Sequence, residues 1–363
     1  MDKLRAAIVG TGFMGAVHAR SVTTAGGEVV GVVGSSPAKG RRAAEEFGVG
    51  RGFDSVDDVL RHGVDVIHVC TPNATHPRLA RAALEAGVAV VCEKPLAVDA
   101  DSARRLTELA AERGLVATVP FVYRYYASVR EARARIARPG HRPPWLIHGS
   151  YLQDWLADET ATNWRVDPAA GGATRAFGDI GVHWCDLAEF VTGQRIVRVQ
   201  ASFGRAVAAR PVGDGSLAPV ETEDGAVVML ETDGGAIGSV VVSQASAGHK
   251  NALSLSIDGP DATYAFCQET PESLWIGGRE HNQVLSRDPA RPDSRAGRTS
   301  SLPAGHPQGY YECFADFVAD TYAAIRGERV PELPTFADGL RAAEIAEAVV
   351  SSARTRAWVE ISA

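Results

Sequence analysis

The feature that most restricts this chain is a glycine-rich turn wedged between an apolar run and a helical segment. Ala6-Ala7-Ile8-Val9 ends directly in Gly10-Thr11-Gly12-Phe13-Met14-Gly15, and residues 17–24 have room for a helix. A GxGxxG pattern carries information only in that strand–turn–helix setting. There Gly10 permits the tight turn, Gly12 lets the backbone approach a pyrophosphate, and Gly15 lets helix and strand pack closely. The helix start adds amide donors and a partial positive charge. Gly10, Gly12, Phe13, Met14 and Gly15 are therefore expected to line a dinucleotide cofactor.

The segments beyond the turn fit the same architecture. Apolar runs at residues 29–33, 64–70, 89–92 and 115–119 alternate with Ala-, Arg-, Glu- and Leu-rich segments such as 39–47 and 77–86. Short apolar strands alternating with helices indicate a parallel sheet buried on both faces. After about residue 124 the pattern changes. An Arg-rich helix at 130–138 precedes β-like stretches at 145–151, 196–203, 225–231, 236–245, 252–258 and 262–267, many separated by Gly, Asp or Pro. Strands in succession predict an open, mostly antiparallel sheet. Residues 287–305 read as an exposed loop, and helical patterns return at 310–326 and 336–355. The expected fold is α/β: an N-terminal Rossmann domain with a doubly wound parallel sheet over 1–123, then an α/β domain with a large open sheet over 124–335. The helix at 336–355 is expected to return to the first domain.

Composition excludes several alternatives. At 363 residues the chain has room for about two domains. Lys plus Arg number 37 against 44 for Asp plus Glu, a net charge of -7, which argues against a general nucleic-acid binder. No apolar run reaches the ~18 residues of a membrane span, and the start of the chain lacks the apolar stretch of a secretory signal. The five cysteines form no CxxC pair, so no metal centre or disulfide framework is expected, and reduced thiols fit a cytoplasmic protein.

The end of the second strand bears on cofactor choice. An NAD-preferring site usually has an acidic residue ~20 positions past the glycines. Here the segment reads Gly34-Ser35-Ser36-Pro37-Ala38-Lys39-Gly40-Arg41-Arg42. Ser35, Ser36, Lys39 and Arg41 suit a 2′-phosphate, so NADP(H) is favoured and NAD(H) is possible. The same cations would also fit the solvent face of the next helix.

Three further segments carry chemistry. Thr71-Pro72-Asn73-Ala74-Thr75-His76 follows one apolar strand, Glu93-Lys94-Pro95 follows the next, and Gly178-Asp179-Ile180-Gly181-Val182-His183 lies far downstream. In a doubly wound sheet, ligands bind outside the carboxyl ends of strands, so Thr71, Asn73 and Lys94 share one crevice. Asp179 and His183 are four apart and share a face if helical. A carboxylate beside an imidazole can fix its orientation and stabilise its charged form, and a lysine favours a developing alkoxide. Position alone also fits a solvated Lys94, a core His183 and an N-capping Asp179.

Taken together, these segments resemble the Gfo/Idh/MocA family of nicotinamide-dependent oxidoreductases over nearly the whole chain. The resemblance implies hydride transfer between nicotinamide C4 and a secondary alcohol or ketone of a sugar, polyol or glycoside, with C3 oxidation of a glycoside or anhydrosugar as a subfamily reading. It implies Lys94, Asp179 and His183 as the catalytic set. It places Thr71, Pro72, Asn73, His76, Glu93, Lys94, Trp164 and Arg165 at the cofactor. Tyr123, Tyr151, Gln153, Trp155, Arg165, Asp179 and His183 would face the substrate with Lys94. A homodimer or homotetramer built through the open sheet is expected. Two other readings stay open: a redox-assisted glycoside hydrolase with tightly held NAD, and a non-catalytic NAD(P) sensor.

Overall fold

The computed structural model describes residues 2–211, 215–290 and 302–361. The chain divides into two compact units, Met1–Val122 with Tyr310–Ala343, and Tyr123–Gly309 with Glu344–Ala363.

The first unit alternates strand and helix: β1 (Arg5–Val9), α1 (Phe13–Thr24), β2 (Glu28–Val33), α2 (Pro37–Phe47), β3 (Gly52–Phe53), α3 (Val56–His62), β4 (Val66–Val69), α4 (His76–Glu85), β5 (Ala89–Cys92), α5 (Ala100–Arg113) and β6 (Ala117–Thr118). Its six strands run parallel in the order β3-β2-β1-β4-β5-β6. The strand order reverses between β1 and β4, so loops after these strands flank the switch point where such sheets bind ligands. All residues of β4 and β5 are buried, as expected for a sheet covered on both faces. The run at 64–70, read as the third strand, is the fourth. The true third is two residues long, too short to leave a periodic signal. Helix α2 starts earlier than its apolar pattern because Ser36 caps it, accepting the Lys39 amide at 3.4 Å, with Pro37 in the first turn.

The second unit holds α6 (Ala127–Ile136), β7 (Leu146–Leu152), α7 (Pro168–Gly171), a π-helical turn at Phe177–Gly181, α8 (Val182–Thr192) and then β8 (Ile196–Gly204), β9 (Ala209–Pro211), β10 (Leu217–Pro219), β11 (Gly225–Thr232), β12 (Ile237–Ser243), β13 (Ala252–Asp258), β14 (Thr263–Cys267), β15 (Ser273–Gly277) and β16 (Asn282–Ser286). Helices α9 (Tyr310–Ile325) and α10 (Phe336–Thr355) and strand β17 (Val359–Glu360) complete the chain. The large sheet has nine strands in the order β16-β15-β14-β13-β7-β12-β11-β8-β17. It is antiparallel except at β7–β12. One face carries the core. Val228, Leu230, Val240, Val242, Leu253 and Leu255 are buried there, and Trp184 of α8 donates its indole N–H to the Ser254 carbonyl at 2.9 Å. The alternate residues Val227, Met229, Ile237, Val241, Trp275 and Val284 are exposed on the other face.

Two readings of the C-terminal part change. Helix α9 packs on α1 within the first unit, and α10 starts in the first unit and ends in the second. Arg287, read as the start of an exposed loop, is buried. It pairs with Glu272 at 3.0 Å and donates to the Leu302 and His306 carbonyls at 2.6 Å each. Residues 291–301 of that loop lie outside the described residues. Among the described residues no helix is long and apolar enough to cross a membrane.

Candidate active site

The nucleotide half of the predicted residues belongs to the first unit and is built mainly by backbone. Gly10 has φ +127°, and a Cβ there would sit 2.3 Å from the Cys70 carbonyl oxygen, so only glycine fits where β1 passes the end of β4. A Cβ on Gly15 would come within 2.4 Å of the Gly10 carbonyl, whereas one on Gly12 would meet nothing within 4 Å. The first two glycines from the strand side thus differ in purpose: Gly10 serves the turn, and Gly12 leaves open space at the N-terminus of α1. That opening fits a pyrophosphate approaching the free first-turn amides. Phe13 is 68 % exposed beside it, Met14 is half-buried, and Gly15 is buried.

The loops after β2, β4 and β5 complete this half. Ser35 and Lys39 are exposed. Arg41 lies 3.5 Å from Asp54, both well exposed. Thr71 accepts a 2.6 Å hydrogen bond from the Thr75 hydroxyl, Pro72 is exposed, and Asn73 is buried. The fully buried His76 reaches the Thr71 carbonyl through Nε2 and the Pro95 carbonyl through Nδ1, each at 2.8 Å. It sits between the Thr71 loop and the loop that carries Lys94 and, when neutral, donates to one of the two carbonyls. Burial outweighs the two carbonyls and holds this imidazole below its ordinary pKa. Glu93 is buried with Lys94 half-buried beside it, and one Glu93 oxygen accepts the Lys94 amide at 3.2 Å.

The other half belongs to the second unit and is built by side chains. The π-helical turn carries Asp179 and runs straight into α8, which carries His183. Gly181 is required in it, since a Cβ there would lie 2.4 Å from the Phe177 ring. π-Turns of this kind concentrate at functional sites. Asp179 is held from two sides: Gln244 donates to Oδ2 at 2.8 Å, and the Arg165 guanidinium is 3.4 Å from Oδ1. Arg165 in turn stacks over Trp164 at 4.4 Å, with its amide donating to the Asn163 side chain at 3.1 Å.

His183 packs edge-on against Tyr123, ring centroids 5.0 Å apart. The Tyr123 hydroxyl is hydrogen-bonded to that of Tyr151. Tyr151 donates to Asn251 Oδ1 at 2.8 Å, Gln153 donates to the same oxygen at 2.8 Å, and Trp155 donates its indole N–H to Gln153 at 2.8 Å. The sequence-predicted residues Tyr123, Tyr151, Gln153, Trp155 and His183 thus form one connected row, with Asn251 as its hub.

A buried ionic frame fixes the π-turn. Glu223 accepts the Arg175 and Phe177 amides at 3.0 and 2.9 Å and the Thr174 hydroxyl at 2.6 Å. Arg175 pairs with Asp224, and Arg210 lies 3.4 Å from the same carboxylate. Burial pushes the Asp224 carboxyl up, but the Val207 amide and the Arg175 charge outweigh it, and the group sits below its ordinary range. Gln244, Asn251, Glu223 and Asp224 escape a reading of the sequence. Each lies at least 46 residues from the side chain or turn it holds at the site, and no local spacing announces it.

Both parts of the chain match known proteins. Residues 4–121 match the family model described as "Oxidoreductase family, NAD-binding Rossmann fold", and residues 129–265 match "GFO/IDH/MocA C-terminal domain". A solved oxidoreductase domain protein from Kribbella flavida is 32% identical, with full coverage of both chains and a TM-score of 0.91. A levoglucosan dehydrogenase from Pseudarthrobacter phenanthrenivorans is 28% identical across 99% of each chain. An inositol dehydrogenase homologue from Azotobacter vinelandii, solved with NADH and myo-inositol, is 27% identical, with 99% of this chain and 98% of that one covered and a TM-score of 0.84.

Proposed function

This chain belongs to the Gfo/Idh/MocA family of nicotinamide-dependent oxidoreductases, and from that premise we propose how it oxidises a secondary alcohol of a sugar or polyol. When bound, the cofactor supplies the hydride acceptor. The observation that carries the reading is the fixed Asp179, held by Gln244 and Arg165, four residues before an imidazole that abuts the Tyr123–Tyr151–Asn251 row.

In this proposal His183 accepts the hydroxyl proton as general base, and Asp179 orients the ring and stabilises its charged form. Lys94 donates to the substrate oxygen as alkoxide character develops. Tyr151, Gln153 and Trp155 offer hydroxyl, amide and aromatic surface to a sugar. Gly10, Gly12, Phe13, Met14 and Gly15 hold the pyrophosphate. Thr71, Pro72, Asn73, His76 and Glu93 hold the nicotinamide end, joined by Trp164 and Arg165.

The relative solved with a nicotinamide contains NADH, and nothing supports the preference for NADP(H) drawn from the sequence. NAD(H) is the better proposal. Arg41 faces Asp54 and Arg42 pairs with Glu46 at 2.7 Å, while the Ser36 hydroxyl is engaged at the α2 cap. Arg41, which suggested a phosphate, has a carboxylate neighbour, and the exposed Ser35 is free of the α2 cap to meet ribose hydroxyls. The relatives are named as dehydrogenases, and neither the hydrolase nor the sensor reading is favoured. The exposed apolar face of the nine-stranded sheet supports the proposal of a homo-oligomer built through it.

Screening sugars, polyols and anhydrosugars by nicotinamide absorbance, with both cofactors, tests the proposal. Substrate-dependent reduction of NAD⁺ is expected. Release of free sugar with no net absorbance change would replace it with the hydrolase reading, and a tenfold preference for NADP⁺ would reverse the cofactor assignment.

A further inference from the structure

Behind the nucleotide half, four polar side chains form an unbroken line through the buried interior of the first unit. His18 of α1 reaches Glu93 Oε1 through Nε2 at 3.0 Å and His68 Nδ1 through its own Nδ1 at 2.9 Å. His68 of β4 then reaches the Tyr322 hydroxyl of α9 through Nε2 at 3.0 Å. His18, His68 and Tyr322 have no exposed surface, and Glu93 is buried.

The proton count along this line is constrained by geometry. Between the two Nδ1 atoms only one proton fits. An ionised Glu93 can only accept, so His18 Nε2 carries a proton. If His18 is neutral, its Nδ1 is bare and the shared proton sits on His68. His68 Nε2 is then bare, and Tyr322 donates to it. Every bond is satisfied in this arrangement. Adding one proton to His18 reverses the rest of the line and leaves the Tyr322 O–H aimed at nothing, because among the described residues His68 is its hydrogen-bond partner. Leaving a buried donor unsatisfied is costly.

We propose that Tyr322 is a positioning residue for the catalytic loop: it fixes the tautomers of His68 and His18, so that His18 presents an N–H to Glu93 and Glu93 is kept as the carboxylate that anchors the Lys94 amide. The inference rests on the reading of Glu93 and Lys94 as cofactor- and substrate-facing residues. The titratable and charged groups facing the line are Cys70, Cys92, His76 and Lys94 around Glu93, and Asp65 and Arg326 around Tyr322. Burial drives the Cys70 and Cys92 thiols and the Tyr322 phenol up and the His68 imidazole down, so these four stay neutral. The line therefore holds one mobile choice, whether it takes up a further proton, and Tyr322 opposes it because its hydroxyl must donate to His68.

Long-range ¹H–¹⁵N correlation on the full-length protein labelled at histidine reads the tautomers directly. Expected is a protonated Nδ1 and bare Nε2 on His68, with the reverse on His18. A protonated His68 Nε2 at neutral pH overturns the proposal. In Tyr322→Phe the neutral line has lost its donor, so the His68 imidazole should take up a proton at a higher pH than in the parent. The acidic limb of kcat/KM should move up with it, while kcat on the plateau stays within about twofold. An unchanged His68 titration and an unchanged limb in a folded variant also overturn it, and if the variant does not fold, the parent spectrum decides. Parent protein that shows the expected tautomers but binds no NAD(H) would instead remove the functional reading of the site.

Discussion

The predicted residues fall into a nucleotide half in the first unit and a catalytic half in the second, and the two are made by different means. In the nucleotide half the chain supplies backbone: Gly10, Gly12 and Gly15 shape one turn within six residues, and their roles follow from steric contacts of 2.3–2.4 Å or from open space. In the catalytic half it supplies side chains gathered over long distances, with Gln244 on Asp179, Asn251 on Tyr151 and Glu223 on the π-turn. A backbone site tolerates change in side chains but not in Cα geometry. A side-chain site has the opposite tolerance, so the two should fail differently under mutation.

The sharpest break between them is His183→Ala, which should lower kcat by about 10²–10⁴-fold while leaving the Kd for NAD(H) near its original value. Lys94→Ala should do the same, and the double variant should cost less than the product of the two. Steady-state kinetics with a cofactor titration measures both. Near-normal turnover in His183→Ala would shift the acid–base role to Lys94 or Tyr123.

The frame behind the π-turn comes next. Asp224→Asn leaves Arg175 and Arg210 facing a neutral amide and should destabilise the protein by about 3–5 kcal/mol at neutral pH, as breaking a buried pair does. Because the Asp224 carboxyl titrates below its ordinary range, its contribution is full above about pH 4 and is lost as pH falls through the depressed value. Thermal melts of parent and variant should converge on acidification. A gap that persists at the lowest pH at which both fold would show that the charge on Asp224 is not what matters.

A branched side chain tests the open space. Gly12→Val should weaken NAD(H) binding by about 10²-fold with little loss of stability, since a Cβ there meets no protein atom. Intrinsic-fluorescence titration checks it, and unaltered affinity would take the turn out of the binding site. The mildest expected effect is that of Gln244→Leu. Removing one hydrogen bond to a carboxylate should reduce kcat by about 10–100-fold with KM for NAD⁺ little changed. A larger drop in cofactor affinity than in kcat would mean that Gln244 serves the fold rather than Asp179.

The contrast also explains which parts are legible in the sequence. Strand β5 and helix α10 emerge with the boundaries their apolar patterns predict, and the glycine turn announces its own purpose, because local sterics and periodicity act within a few residues. The four-residue spacing of Asp179 and His183 along one helical segment is legible for the same reason. The register is not, because a π-turn leaves no period of its own in five residues. Gln244 and Asn251 look like ordinary residues at strand margins, and only the fold of β12 and β13 beside β7 brings them to the site. Ser35, Ser36, Lys39 and Arg41 show the converse: the residue types suit a phosphate, but a motif does not reveal the Asp54 beside Arg41 or the capping role of Ser36.

The division of the chain into Met1–Val122 with Tyr310–Ala343 has a consequence for biosynthesis. A ribosome delivers β1 to β6 first and then makes residues 123–309 before α9 emerges. At about 5–20 residues per second, that interval is roughly ten to forty seconds. Throughout it, the face of α1 that α9 will cover has no cover, and His68 waits for the phenol of Tyr322. The nascent first unit is therefore an incomplete Rossmann domain, dependent on chaperone protection or on its own partial stability. A stop codon before residue 310 removes α9, and with it the cover of α1 and the Tyr322 hydroxyl that His68 meets.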